Sequence, residues 1–453
     1  MTTPQFPTRI EARAGRTMSP SEIFDVANRR EKALSRLLVT YISTGLAFML
    51  LPGTFLGVWN LISISSRRAS ESISPAWIQA HGHAQVFGWI GSFIFGIGFF
   101  SIPKLRRLEP FAISYAWACW TMWTAGVALR WIANVYGLYW RVLLPVSAAL
   151  ELLALAIFLR AVSAHRLQPE EKTDQGWVMI VLGGTAGLVA ALTMNLFGTI
   201  WLAIDASGPA FPADFDQRLL AVMAWGFMVP FVWGFSTKWL PVFLGLWPPK
   251  IRLMFLATAL NIAGVIAAVT AHRRLATVIW IAASAIAAIG LHIFRMSRQP
   301  AKTKGVHESF PVFVRVAYVW LLVAGGLAVW ASLRGEAAGI WGASRHALTV
   351  GFIAMMVFCV GQRVLPAFAG MKALWSPSLM FIATLLLAAG CFLRVSCEVL
   401  AYQGYAAWAW KALPISAITE LAAVGAFAAN LIVSFSRRSS APPVVHVSAS
   451  PNA

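Results

Sequence analysis

Apolar residues run along this chain in unbroken stretches of about 20 or more, with polar residues gathered in the gaps between them. Twelve runs can be placed: 37–63, 77–102, 112–133, 139–163, 177–204, 217–243, 251–271, 275–295, 311–332, 341–368, 375–397 and 410–435. None shows the ten-residue alternation of a transmembrane strand, so each predicts a helix that satisfies its own backbone in lipid. The first run follows a basic tail and lacks a small-residue cleavage site, which reads as a retained span. Within that tail, "SPSEIFDVANRREKALSRLL" predicts a short amphipathic helix with Ser19 as N-cap and Pro20 at the first helical position. From Ser436 onward the composition predicts a disordered tail. The expected organisation is a tail (1–36), a twelve-helix membrane domain (37–435) and a second tail (436–453).

The runs repeat internally. "HAQVFGWIGSFIFGIGFFSIP" (83–103) matches "HALTVGFIAMMVFCVGQRVLP" (346–366) in its His-Ala start, its Gly (Gly88, Gly351) and its final Pro (Pro103, Pro366). "AVMAWGFMVPFVWGFSTKWLP" (221–241) keeps Gly226 and Pro241 but has Ala221 for the histidine. "AGVALR" (125–130) matches "AGCFLR" (389–394), with "AGVIAA" (263–268) between them. "LPVSAALEL" (144–152) matches "LPISAITEL" (413–421), with "IAASAIAAI" (281–289) between them. The offsets are 138, 138 and 137 to the middle copy and 263, 264 and 269 to the last. This predicts three four-helix units, about 37–163, 177–295 and 311–435, rather than a 6+6 transporter repeat. The outer units keep His83 with His346, Arg130 with Arg394, and Glu151 with Glu420; the middle unit loses all three. The shared Gly and Pro read as packing and helix-end features, whereas the retained polar pairs predict a site between the outer units.

Composition sharpens this picture. The chain is 59% hydrophobic and 12% charged, far below the roughly 25% charged of a soluble globule. Its formal charge of +19 could suggest nucleic acid. However, the two tails and the loops after helices 2, 4, 6, 8 and 10 hold about twice the Lys and Arg of the opposite loops. The charge therefore encodes topology, with both termini cytoplasmic and the lipid bilayer as partner. The four cysteines form no CxxC and predict small core residues.

His83 and His346 lie at equal depth, about 10 Å below the start of their runs at 1.5 Å per residue. Two imidazoles at one depth on different helices suit the axial positions of a haem iron. Residues two apart on a helix point about 200° apart, so His81 and His83 cannot share a metal. His81 has no twin, since Ser344 stands in its place. It reads either as the ligand of a second metal or as a polar helix-entry residue. Arg130 and Arg394 are candidates for haem propionates or snorkelling interfacial residues. Glu151 and Glu420 lie mid-membrane, where a carboxylate costs roughly 3 kcal/mol on insertion scales. They are candidates for proton handling, metal coordination or a neutral helix–helix hydrogen bond. No CxxCH is present, so any haem is held without covalent attachment, as a b-type haem.

Three four-helix units with histidines on helices 2 and 10 resemble subunit I of the haem-copper oxidase superfamily, whose low-spin haem takes one histidine from each of those helices. The motifs resemble the NnrS family more closely. Its helix-2 signature, roughly HAHEMxFG, is similar to "HGHAQVFG" (81–88), with Ala84 and Gln85 in place of Glu-Met. Its "HALTVG" stands at 346–351. Its further motif, roughly GGRVIPxFT, is half kept at 234–243 and echoed by "GQRVLPAFAG" (361–370). The resemblance implies a bacterial inner-membrane protein that contains haem and copper and protects against nitric-oxide stress. As an enzyme it would be a haem-dependent oxidoreductase with an electron donor that the sequence does not name. The competing reading is a haem-free polytopic transporter. An active terminal oxidase or nitric-oxide reductase needs more histidines than the helices supply.

Overall fold

The computed structural model describes residues 20–69, 72–105, 111–163, 176–334, 338–368 and 373–437. Ser19 and the C-terminal stretch beyond Arg437 lie outside the described residues, as does most of the basic tail. Among the described residues the fold is all-helical, with long helices at each of the twelve apolar runs. They are α1 (Asn28–Arg67), α2 (Pro75–Pro103), α3 (Ile113–Tyr136), α4 (Trp140–Ser163), α5 (Gly176–Asp205), α6 (Ala213–Leu244), α7 (Ile251–Val269), α8 (Arg273–Gly290), α9 (Phe310–Arg334), α10 (Gly339–Pro366), α11 (Pro377–Tyr402) and α12 (Ala409–Ser436). Eleven are apolar and long enough to cross a membrane. Only α3 falls short, because Trp117, Trp120, Trp123, Trp131 and Arg130 lower its hydropathy.

One expectation is corrected. The tail does not form a separate amphipathic helix: the helix begins at Pro20 and runs without a break into the first span. Nothing in "KALSRLLVTY" breaks a helix, and Leu34, Leu37 and Leu38 are already buried.

Burial divides the twelve into an inner set and an outer set. The central windows of α2, α6 and α10 are 72%, 72% and 67% buried, against 28–44% for the other helices that meet the spanning criteria. These inner helices head the three sequence repeats. α2 meets α10 through Trp89 and Phe358 (ring centroids 6.3 Å apart), and Phe358 stacks on Phe427 of α12 at 4.1 Å. The outer helices pack mainly as pairs, α3 with α4, α7 with α8 and α11 with α12. α12 then packs along α1, so the first and last spans close the arrangement.

Each inner helix changes to π geometry immediately after the repeat position of the histidine. The segments are Ala84–Gly91 after His83, Val222–Met228 after Ala221, and Ala347–Ala354 after His346. They therefore share the offsets of the sequence repeat. A π turn admits one extra residue and turns the helix face that follows it. α1 has its own π segment, Met49–Phe55, around Pro52, which has no N–H to donate. The repeated glycines sit where backbone approach is close: a Cβ on Gly88 would lie 2.8 Å from Phe48 Cβ, and one on Gly351 would lie 2.5 Å from Trp320 Cγ.

Candidate functional site

Helical geometry sends the two histidines of α2 apart, as the 200° argument requires. His83 turns into its own unit. Its Nε2 lies 2.7 Å from Glu151 Oε1 on α4, and both side chains are buried. Gly126 on α3 gives the glutamate its room, since a Cβ there would sit 2.7 Å from Glu151 Cγ. Phe87 meets the imidazole edge-on at 4.8 Å. The third unit repeats half of this: a Cβ on Gly390 would sit 2.7 Å from Glu420 Cγ. Glu420 lies within electrostatic reach of His346, as Glu151 lies against His83. The likeness stops there: Glu420 Oε1 has no hydrogen-bond partner, and the carboxylate that lies against His346 is Glu398 of α11.

His81 turns the other way, onto α1. Its Nδ1 lies 2.8 Å from the carbonyl oxygen of Gly53, inside the π segment. Its ring lies over Gly57, where a Cβ would meet Cε1 at 2.6 Å. Beside it Gln85, which stands at the Met position of the family motif, donates to Thr54 Oγ1 at 2.9 Å and ties α2 to α1. His81 is within electrostatic reach of His346 and Arg394, across the seam between the first and third units.

His346 has its Nδ1 3.0 Å from the carbonyl of Gly342, one turn earlier. The same nitrogen lies 3.3 Å from Glu398 Oε2, which is also 3.3 Å from Arg394 Nε. The carbonyl contact has the better hydrogen-bond geometry, and a carbonyl can only accept, so Nδ1–H donates there. Arg394 is mostly buried, and its Nη1 has no hydrogen-bond partner.

Arg130 goes elsewhere. It is buried, donates to Asn195 Oδ1 on α5 at 3.2 Å, and lies 4.8 Å from the Phe211 ring centroid. It is coupled electrostatically to Glu151 and Asp216, and Asp216 to Arg345. Arg345 donates to Gln217 Oε1 at 3.2 Å. Ionisable side chains thus lie within the helices of all three units, among them Glu151, Asp216 and Glu398. Sequence reasoning missed Glu398 and Asp216, which lie one residue outside runs ended at 397 and begun at 217. An Arg and Glu at i and i+4 (Arg394, Glu398) was the available signal.

Among the described residues, no group of three or more His, Cys, Asp or Glu converges as a metal site. All four cysteines are free and buried, as expected of core residues.

The comparisons agree with this architecture. A cryo-EM structure of a haem-copper terminal oxidase dimer is similar in fold, with a TM-score of 0.66 at 12% identity, covering 91% of this chain and 85% of that one. No curated protein matches the sequence. The family model described as NnrS protein matches residues 39–438, which takes in most of α1 and all of α2 to α12. This chain is a member of the NnrS family.

Proposed function

We propose that the protein is a membrane haem-binding protein of the NnrS type whose axial ligands are His81 and His346, working in nitric-oxide or metal homeostasis. This keeps the site between the outer units and replaces His83 with His81. The observation that carries the change is the use of ring nitrogens. His81 and His346 each direct Nδ1 to a backbone carbonyl, the arrangement that fixes the tautomer with Nε2 free for a metal. His83 has its Nε2 committed to Glu151.

The residues present fit a haem. Gly57 makes room for the His81 ring, and Arg394 carries unsatisfied buried donors of the kind a propionate accepts from. Haem would supply electron transfer or the binding of a small gas at iron. The chain's own part is to hold both imidazoles neutral and oriented, with Glu398 fixing Arg394 beside His346. Arg130 is read as a structural residue, held by Asn195 and Phe211. Ala221 stands where the outer units have a histidine, which favours a haem holder over an oxygen-reducing centre.

The test is a reduced-minus-oxidised absorption spectrum of protein expressed with ample haem supply. Wild type and His83→Ala should show a sharp low-spin band, and His81→Ala and His346→Ala should lose it. Haem-free wild-type protein refutes the function; loss of the band in His83→Ala with retention in His81→Ala refutes the ligand assignment.

A further inference from the structure

A cavity of about 250 Å³ lies between α6, α8 and α10, with Val86 of α2 also on its wall. It exists because the repeat is trimmed here. Ala221 holds the position of His83, Ser344 holds that of His81, and both line the space. Ala224, Ala276 and Ala328 widen it.

One wall is flat. Trp225 and Trp280 stack at 4.8 Å with their planes 5° apart, and both are buried. The rim is cationic. Arg218, Arg273 and Arg345 all line the cavity, and no carboxylate, imidazole or thiol does. Arg218 and Arg273 share one carboxylate, Asp214, which lies outside the lining. Their side chains are 34% and 45% exposed, which places them at the opening with the tryptophans below. The volume falls just below the usual range of ligand pockets, about 300–1,000 Å³, and is too small for a lipid with its chains.

We infer that this cavity binds a planar aromatic anion, with its ring against Trp225 and Trp280 and its charge between the arginines. Stacking and desolvated charge hold the ligand, without coordination to a metal. The inference is independent of the haem assignment.

The test uses full-length protein in phosphatidylcholine nanodiscs and 6-fluoro-2-naphthoate as the probe, followed by ¹⁹F NMR. Wild type should bind it saturably at one site. Ala224→Phe should weaken binding at least about tenfold by filling the cavity. Ala328→Leu fills less and should weaken it less; both variants are checked for an unchanged melting temperature. Arg345→Gln should weaken binding about tenfold, the usual scale for a charge-assisted hydrogen bond, and abolish the preference over neutral 2-fluoronaphthalene. Binding unaffected by either cavity-filling variant overturns the site. Equal binding of the neutral probe to wild type overturns the anion preference. Displacement of naphthoate by phosphatidylglycerol, with tighter binding of that lipid, identifies a lipid head-group site and overturns the proposal.

Discussion

Removing the Glu151 carboxylate tests whether the His83 contact holds α2 to α4. The bond is short (2.7 Å) and both partners are buried. Glu151→Ala leaves His83 without its partner, a cost of about 1–3 kcal/mol for a buried polar group. It also deletes one methylene packed on Gly126, worth about 0.8 kcal/mol. The expected loss is therefore about 2–4 kcal/mol. Glu151→Gln preserves an acceptor for Nε2, and Glu151 Oε2 has no partner to lose, so its cost should be about 1 kcal/mol. Interhelical hydrogen bonds in membranes couple by about 0.6 kcal/mol on average and about 1.7 at most. Burial and the short distance place this pair near the top, at about 1–1.7 kcal/mol. The assay is equilibrium unfolding in mixed micelles, followed by the thiol reactivity of the four buried cysteines. Wild type, the two single alanine variants and the double variant complete a cycle. Additive losses, or Glu151→Gln as costly as Glu151→Ala, would refute the argument.

Four further outcomes follow from the same packing. Gly57→Ala puts a Cβ 2.6 Å from His81 Cε1 and should shift or erase the haem band while leaving the His83 contact intact. Gly390→Ala crowds Glu420 Cγ and should lower stability by about 1–3 kcal/mol, measured by the same unfolding titration. Trp280→Ala removes the face stacked on Trp225 and should cost about 3–5 kcal/mol in that titration. In folded protein, membrane-permeant maleimide should label none of Cys119, Cys359, Cys391 and Cys397, as mass spectrometry can check.

The positions of the helices were legible because lipid forces each span to be long, apolar and self-bonded. Even the aromatic α3 showed itself, since its tryptophans interrupt hydropathy without breaking the helix. The threefold recurrence was legible in the three inner helices, whose π segments share the repeat offsets. His83 and His346 are twins in sequence, but His83 bonds Glu151 whereas His346 lies by Glu398, which has no part in the repeat pattern. His81 lacked a twin, so the sequence left it between a second metal's ligand and a polar helix-entry residue. Its surroundings come from α1, whose Gly53 and Gly57 carry no signal until the helices are placed side by side. The π segments could not be read either, because one extra residue per turn changes direction without changing composition. Glu398 and Asp216 were lost to boundaries drawn at the edge of hydropathy, where buried charge and interfacial charge look the same.

The packing of α12 along α1 sets an order of assembly. α1 is made first and α12 last, so the face of α1 that α12 covers stays open throughout synthesis of the helices between them. α2 meets Phe358 of α10 only once the intervening helices are in place, and α12 then closes the arrangement. The first span therefore gains its full set of packing partners only after the last has been inserted. A chain that stops before Ala409 has eleven of the twelve helices and leaves that face of α1 uncovered.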